Sequence, residues 1–279
     1  MSGINYQTEN KAFYVNRMFA SIARRYDLLN AMLSFGQDIR WRKYVMAQIE
    51  SIPNALILDL ATGTGKIAML AARCYSESTI VGIDFCPEML LIAKQTLIES
   101  ESTPLIPNSW GKIKLGDTPK SLGPSGIGRA PLSQKLPTSL AGERIYLVQG
   151  DALRLPFPDD TFDCLTIGFA LRNVTSIASL FAEMNRVTKP GGKMVSLELT
   201  RPSLRILGLL HKLYIKVVIR LVGGVVSGKW DAYTYLPQSI LEFPSPREVQ
   251  KVMEDAGWSR VEISRLTFGA ATVQTGIKG

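Results

Sequence analysis

Histidine is almost missing from this chain: His211 is the only one in 279 residues. A multi-histidine metal centre and a Ser–His catalytic triad are both implausible on that ground. Cysteine is scarce as well. Cys74, Cys86 and Cys164 lie far apart without a CxxC pair, which favours reduced thiols over a disulfide framework or a zinc site. No stretch of about 20 uncharged apolar residues is present, so no membrane-spanning helix is expected. The start, Met1-Ser2-Gly3-Ile4-Asn5, has no apolar signal-peptide core, and a cytoplasmic protein is expected.

What the chain does contain is ordinary for a globular protein, with 46% hydrophobic and 20% charged residues. The formal net charge of +8 favours anionic partners in general. No nucleic-acid motif or aromatic-basic patch accompanies it, so nucleic acid is not expected as a partner.

Residues 1–50 read as a helical N-terminal cap, with Phe13, Met18, Phe19, Ile22, Tyr26 and Leu29 at helix-like intervals. Breaks are expected at Tyr26–Asn30 and Ser34–Asp38, after which a helix opens at Asp38 and runs to Ile49. Residues 51–279 then alternate between two periods. Strands are predicted at 56–60, 79–84, 144–148, 162–167 and 193–199, with helices near 66–74, from Pro87 and near 176–188. Such alternation points to a parallel sheet covered on both faces. The last two strands, 260–263 and 272–276, have no helix between them and predict an antiparallel edge. Residues 100–142, rich in Pro, Gly, Ser and Lys, read as a mobile insertion.

The chain is organised around Leu56-Ile57-Leu58-Asp59-Leu60-Ala61-Thr62-Gly63-Thr64-Gly65-Lys66. An apolar strand ends in an acid, breaks at two glycines and resumes as a helix. Gly63 and Gly65 permit close approach of backbone to ligand, and the helix start offers free N–H groups. Alone, the pattern would also suit a dinucleotide enzyme. Asp59 ends the first strand, where it can meet an ammonium group directly or through water. Asp84 ends the second and can accept both ribose hydroxyls. Asp151-Ala152 follows the third, within reach of an adenine edge. A ligand with an amino acid head, a ribose and an adenine uses all three, and S-adenosyl-L-methionine is that ligand. Arg172 and Asn173 follow the fourth strand at its C-terminal end, the edge where open parallel sheets bind ligands.

These residues resemble the ubiquinone/menaquinone biosynthesis C-methyltransferase family. The likeness is carried by Met18-Phe19 through Tyr26-Asp27-Leu28-Leu29-Asn30, Ser34-Phe35-Gly36, Asp59–Lys66, Leu155–Asp163, Leu171-Arg172-Asn173-Val174, Arg186–Gly192 and Asp231-Ala232-Tyr233 through Ile240. It covers everything except the insertion. It implies a class I S-adenosylmethionine-dependent methyltransferase fold, a Rossmann-like seven-stranded mixed sheet with the helical N-terminal cap. It also implies Thr64, Asp84, Asp151 and Ala152 as cofactor contacts and an isoprenoid quinol as acceptor, in menaquinone biosynthesis. Many members of the family it resembles have serine where this chain has Gly168.

In that reaction a ring carbon becomes nucleophilic when a neighbouring hydroxyl loses its proton, and the protein must align the reactants and stabilise the oxyanion. Arg172 is assigned either to stabilise that phenolate or to orient the water that takes the proton. Tyr26, Asp27, Asn173, Tyr233 and Tyr235 are expected to bind the quinol. Arg205, Lys212, Lys216 and Arg220 fall on one helical face, which suits peripheral contact with an anionic membrane surface and equally a lid helix with solvated lysines. A homodimer is left open. So are a benzoquinol, a sterol or another lipophilic acceptor, a nicotinamide enzyme on the same turn, and a scaffold without activity.

Overall fold

The computed structural model describes residues 8–50, 52–101, 114–115, 144–202, 217 and 230–279. Within them the expected alternation of strand and helix is present. The order is α1 (Thr8–Leu33), α2 (Gln37–Ala47), β1 (Leu56–Leu60), α3 (Lys66–Cys74), β2 (Thr79–Asp84), α4 (Pro87–Glu101), β3 (Lys114–Leu115), β4 (Ile145–Gln149), β5 (Phe162–Gly168), α5 (Ile177–Val187), β6 (Thr188–Leu199), α6 (Trp230–Glu242), α7 (Pro246–Asp255), β7 (Trp258–Leu266) and β8 (Ala271–Lys278). Short 3-10 turns occupy Leu171–Asn173 and Thr267–Gly269.

The sheet order is β3-β4-β2-β1-β5-β6-β8-β7. Strands β1 to β6 pair in parallel and β8 runs antiparallel to both β6 and β7. Seven long strands form the mixed sheet expected from the sequence. The two-residue β3 adds an eighth at the outer edge, from inside the stretch read as an insertion.

Alternate residues of each strand supply two separate cores. Ile57, Ile80, Leu147 and Val195 face α2, α3 and α4. Leu58, Ile83, Leu165 and Met194 face α5 and α7. Near-continuous burial of β1, β2 and β5 is what a parallel sheet covered on both sides requires.

Two local expectations change. Helix α1 runs unbroken through Tyr26–Asn30. The stretch has no glycine or proline, and Ile22, Leu29 and Leu33 keep a helical spacing that packs on Ile240 and Leu236 of α6. Asp27, read as a turn former, is spent on a tertiary contact instead. Lys189-Pro190-Gly191-Gly192, between the predicted helix near 176–188 and the predicted strand 193–199, lies inside β6. There the pairing with β5 shifts register between Phe162 and Cys164 and Gly191 takes φ +75°, a bulge rather than a strand end. The expected break at Ser34–Asp38 is a turn in which Phe35 and Gly36 both have positive φ. The amphipathic segment at 205–228 lies outside the described residues, apart from Val217.

Helix α1 crosses the C-terminal ends of the strands. Ala23 packs on Cys86 and Met89 after β2, and Ile22 and Leu29 pack on α6. Lys11 Nζ donates to the Val174 carbonyl at 2.8 Å, pinning the helix over the loop after β5. The N-terminal segment thereby roofs the sheet edge where ligands of such folds bind.

Candidate active site

The turn after β1 is shaped by backbone conformation. Ala61 and Gly63 have φ of 49° and 57°, and Gly65 starts α3 at +78° without a side-chain cap. A Cβ on Gly65 would stand 3.0 Å from the Met69 side chain and 3.2 Å from Ala93. Glycine is required there for φ and for the close packing of α3 on α4.

Asp59 holds this turn from beneath. Only 1% exposed, it accepts hydrogen bonds from the Thr62 hydroxyl at 2.6 Å and the Thr166 hydroxyl at 2.7 Å. Burial pushes its carboxyl up to about 6, against the hydrogen bonds from Thr62, Thr166 and the Ala68 amide. The sequence reading puts Asp59 against a ligand ammonium group directly or through water; here the carboxylate is enclosed by these hydrogen bonds and lies outside the walls of both cavities described below.

Thr64 and Asp27 are likewise spent on each other. The Thr64 hydroxyl donates to Asp27 Oδ1 at 2.8 Å, and Lys66 Nζ lies 3.4 Å from Asp27 Oδ2. Neither Thr64 nor Asp27 lines either cavity. Together they tether α1 to the glycine turn. Gly65 also stays behind the cavity walls.

Two cavities meet under α1. The smaller, about 190 Å³, is lined by Gly63, Asp84, Phe85, Asp151, Ala152 and Asn173 among others. Asp84 Oδ2 accepts from the Gly63 amide at 2.7 Å and its Oδ1 from the Cys86 amide at 2.8 Å. Burial raises its carboxyl to about 6. Backbone donors, the Phe85 amide among them, oppose that rise, and the carboxylate stands in the cavity wall. Asp151 Oδ1 accepts from the Leu153 amide at 2.9 Å. Four of the expected cofactor residues, Gly63, Asp84, Asp151 and Ala152, are thus brought to one wall.

The larger cavity, about 260 Å³, is mainly apolar, with Met18, Phe19, Ile22, Trp41, Leu199 and Leu236 in its wall. Arg172, Asn173, Tyr26 and Tyr235 supply polar groups, and Phe19, Tyr26, Phe169 and Asn173 line both cavities. Tyr235 donates to Asn173 Oδ1 at 3.3 Å. Its phenol is pushed up to about 12 by burial, with Arg172 acting in the opposite sense. Burial also raises the Tyr26 phenol, again opposed by Arg172. Both phenols are neutral donors near pH 7. The backbone of Tyr233 lies in α6, and its side chain is outside the described residues.

Arg172 is presented by the turn that follows β5, where Phe169 has φ 58°. Its Nη1 donates to the Phe169 carbonyl at 2.9 Å and to Glu198 Oε1. The Arg172 amide donates to Glu198 Oε2 at 3.2 Å. Glu198 is 3% exposed. The pair is a buried charge–charge contact whose Nε remains without a partner.

Sequence reasoning did not assign Glu198. Its signal was an isolated acid in the apolar run Val195-Ser196-Leu197-Glu198-Leu199, at the C-terminal end of a predicted parallel strand. Thr166, Phe169 and Lys11 were also missed, and nothing in their local sequence distinguishes them.

Comparison with known proteins adds a family to this geometry. The model of the "ubiE/COQ5 methyltransferase family" matches residues 7–106 and 129–278. A demethylmenaquinone methyltransferase of Thermus thermophilus is 36% identical over 260 residues, covering 93% of this chain and 99% of its own. The ubiquinone/menaquinone biosynthesis C-methyltransferase of Geotalea daltonii is 36% identical over 274 residues, covering 98% of this chain and 100% of its own. Among solved structures, the [4+2]-cyclase SpnF superposes with a TM-score of 0.61 at 15% identity, covering 99% of both chains. A Thermotoga maritima protein described as an S-adenosylmethionine-dependent methyltransferase gives 0.59 at 14% identity, covering 95% of this chain and 100% of its own. These two show the fold alone, and a cyclase among them illustrates that the fold does not dictate the chemistry.

Proposed function

The chain belongs to the ubiE/COQ5 methyltransferase family, and we propose that it methylates a ring carbon of a demethylated isoprenoid quinol, demethylmenaquinol foremost, using S-adenosyl-L-methionine. The observation that carries this reading is the junction of two unlike cavities. One is walled by Gly63, Asp84 and Asp151-Ala152, the other is apolar with Arg172 at its edge, and they share Tyr26 and Asn173.

The smaller cavity's residues fit the cofactor. Asp84 places a carboxylate in the wall for a ribose diol, Asp151-Ala152 adjoins the adenine side, and the Gly63 turn admits a close backbone approach. When bound, S-adenosyl-L-methionine supplies a methyl group already activated by its sulfonium. The protein's own tasks are then positioning, desolvation and charge stabilisation. The α1 roof and the apolar wall exclude water from the junction. Arg172 places positive charge where the ring oxyanion forms. Tyr26 and Tyr235, held neutral, donate hydrogen bonds rather than take protons.

Peripheral contact with an anionic membrane surface is consistent with a lipophilic acceptor and with the +8 charge. No helix among the described residues is long and apolar enough to cross a membrane. Flotation with anionic vesicles tests that contact, and protein remaining at the bottom of the gradient would refute it. Turnover of demethylmenaquinol by the purified chain tests the activity. Binding of adenosylhomocysteine but not NAD is expected alongside it.

A further inference from the structure

Two Phe-Gly pairs flank the larger cavity. Phe35-Gly36 makes the turn from α1 to α2, and Phe268-Gly269 lies in the turn between β7 and β8. Phe35 lines that cavity, and so do Thr267 and Ala270, which bracket the second pair. The two turns are tied together, because Trp41 Nε1 donates to the Thr267 hydroxyl at 2.8 Å. In each pair both residues have positive φ, 50° and 72° in the first and 57° and 89° in the second. Glycine tolerates that region, whereas a bulky phenylalanine there is an outlier. The strain places neither ring in a core: Phe35 is 77% exposed and Phe268 79%. Ile39, in the first turn of α2, is 54% exposed, and the exposed Leu28 and Met32 lead up to Phe35 along α1. Single exposed apolar residues are ordinary, but a group of them around one cavity marks an interaction surface. Backbone strain that holds apolar rings in solvent points the same way.

Charge selects the partner. Arg24, Arg40 and Lys43 are exposed on the same two helices and enter none of the ion pairs among the described residues. Between residues 21 and 44 the only acids are Asp27 and Asp38. Asp27 is engaged by Thr64 and Lys66, and Asp38 by Ser34 and Arg42. Apolar tips beside unneutralised cations complement an anionic bilayer, whose headgroups attract the cations while its acyl region takes the rings. A nucleic acid would meet the cations and leave the phenylalanines in water. We propose that Phe35, Ile39 and Phe268, with Arg40 and Lys43, form the surface that docks the protein on an anionic lipid membrane, the mouth of the larger cavity facing the bilayer. What passes through that mouth rests on the quinol reading above: the ring enters the cavity while the isoprenoid tail stays among the lipid chains.

The test is flotation of the full chain with vesicles of mixed phosphatidylglycerol and phosphatidylcholine, and with vesicles of phosphatidylcholine alone. Two double variants are compared with the wild type, Ile39→Ser with Phe268→Ser and Arg40→Gln with Lys43→Gln. All four positions are exposed and outside both cavity walls, and melting temperature checks that the variants fold. Loss of the apolar pair should weaken binding to the mixed vesicles by about tenfold or more, the value of one buried apolar side chain. Loss of the charged pair should weaken it about 30-fold, roughly fivefold for each basic residue near an anionic surface, and change nothing on phosphatidylcholine alone. Turnover of demethylmenaquinol embedded in the mixed vesicles should fall in step, through KM rather than kcat. Demethylmenaquinol with a single isoprene unit, dissolved without vesicles, should be methylated by both variants at the wild-type rate. Wild-type binding to the mixed vesicles by both folded variants would overturn the proposal. So would binding lost only with Lys212→Gln and Lys216→Gln, or variants that abolish self-association of the wild type and leave vesicle binding intact. If the wild type binds vesicles through this surface but methylates no quinol, the functional reading falls and the docking surface stands.

Discussion

Thr64 and Asp27 join the first helix to the cofactor turn through a 2.8 Å hydrogen bond between hydroxyl and carboxylate. One is in the glycine loop and the other in the N-terminal cap, so the α1 roof over the two cavities and the glycine turn are mechanically linked. Asp27→Ala should cost about 1 kcal/mol of stability and weaken adenosylhomocysteine binding, although Asp27 lines neither cavity. Thr64→Val should do the same. The double variant should lose less than the sum, and a double-mutant cycle on melting temperature and ligand affinity checks this.

The buried carboxyls give a pH signature. Asp59 and Asp84 both titrate near 6 in the folded chain because burial disfavours their charge. Their ordinary value is near 3.9, so between pH 4 and 6 the folded state binds more protons than the unfolded one. The stability contributed by this protonation is fully present below about pH 4 and is lost as pH rises through about 6. Binding has the opposite sense, because a ribose diol needs ionised Asp84. Adenosylhomocysteine affinity should therefore fall as pH drops below about 6. Calorimetric titration from pH 5 to 8 reads it, and an affinity flat over that range would contradict the assignment of Asp84.

The Arg172–Glu198 pair separates structural from chemical effects. Removing one member of a buried ion pair typically costs about 3–5 kcal/mol. Arg172→Ala should therefore destabilise the fold as well as stop methylation, and activity loss in that variant alone decides little. Arg172→Met with Glu198→Gln removes both charges and should regain much of the stability, as read by urea unfolding, while methylation stays abolished. Wild-type turnover in the double variant would remove Arg172 from the mechanism.

Gly168 should resist replacement by serine. A Cβ there would lie 2.4 Å from Ile67 Cδ1, an overpacking worth about 1–3 kcal/mol. Gly168→Ser is expected to lower the melting temperature. Adding Ile67→Val, which deletes that methyl group, should restore part of it.

Much of this architecture was legible because it rests on local pattern. Strand 56–60 with its glycine turn, the aspartate closing β2 and the antiparallel final pair follow from periodicity, glycine and the sheet rules. Tyr26–Asn30 misled because Asp and Asn favour turns locally, whereas here Asp27 bonds to Thr64, which is 37 positions away. Asp59 stands at its strand end as read, but the hydrogen bond it accepts from Thr166, its partner across the sheet, was hidden by the same chain distance. Glu198 became visible only when β6 was set against Arg172. Chain distance hides such relationships, and no propensity encodes them.

The central claim is tested most directly by mass spectrometry of quinones after incubation of the purified chain with methyl-labelled S-adenosyl-L-methionine and two acceptors together, demethylmenaquinol and the corresponding demethylated benzoquinol. The expected result is a single labelled methyl group on the naphthoquinol ring, lost in Arg172→Met with Glu198→Gln. Label absent from both quinols, or present on oxygen rather than ring carbon, would contradict the assignment of this site.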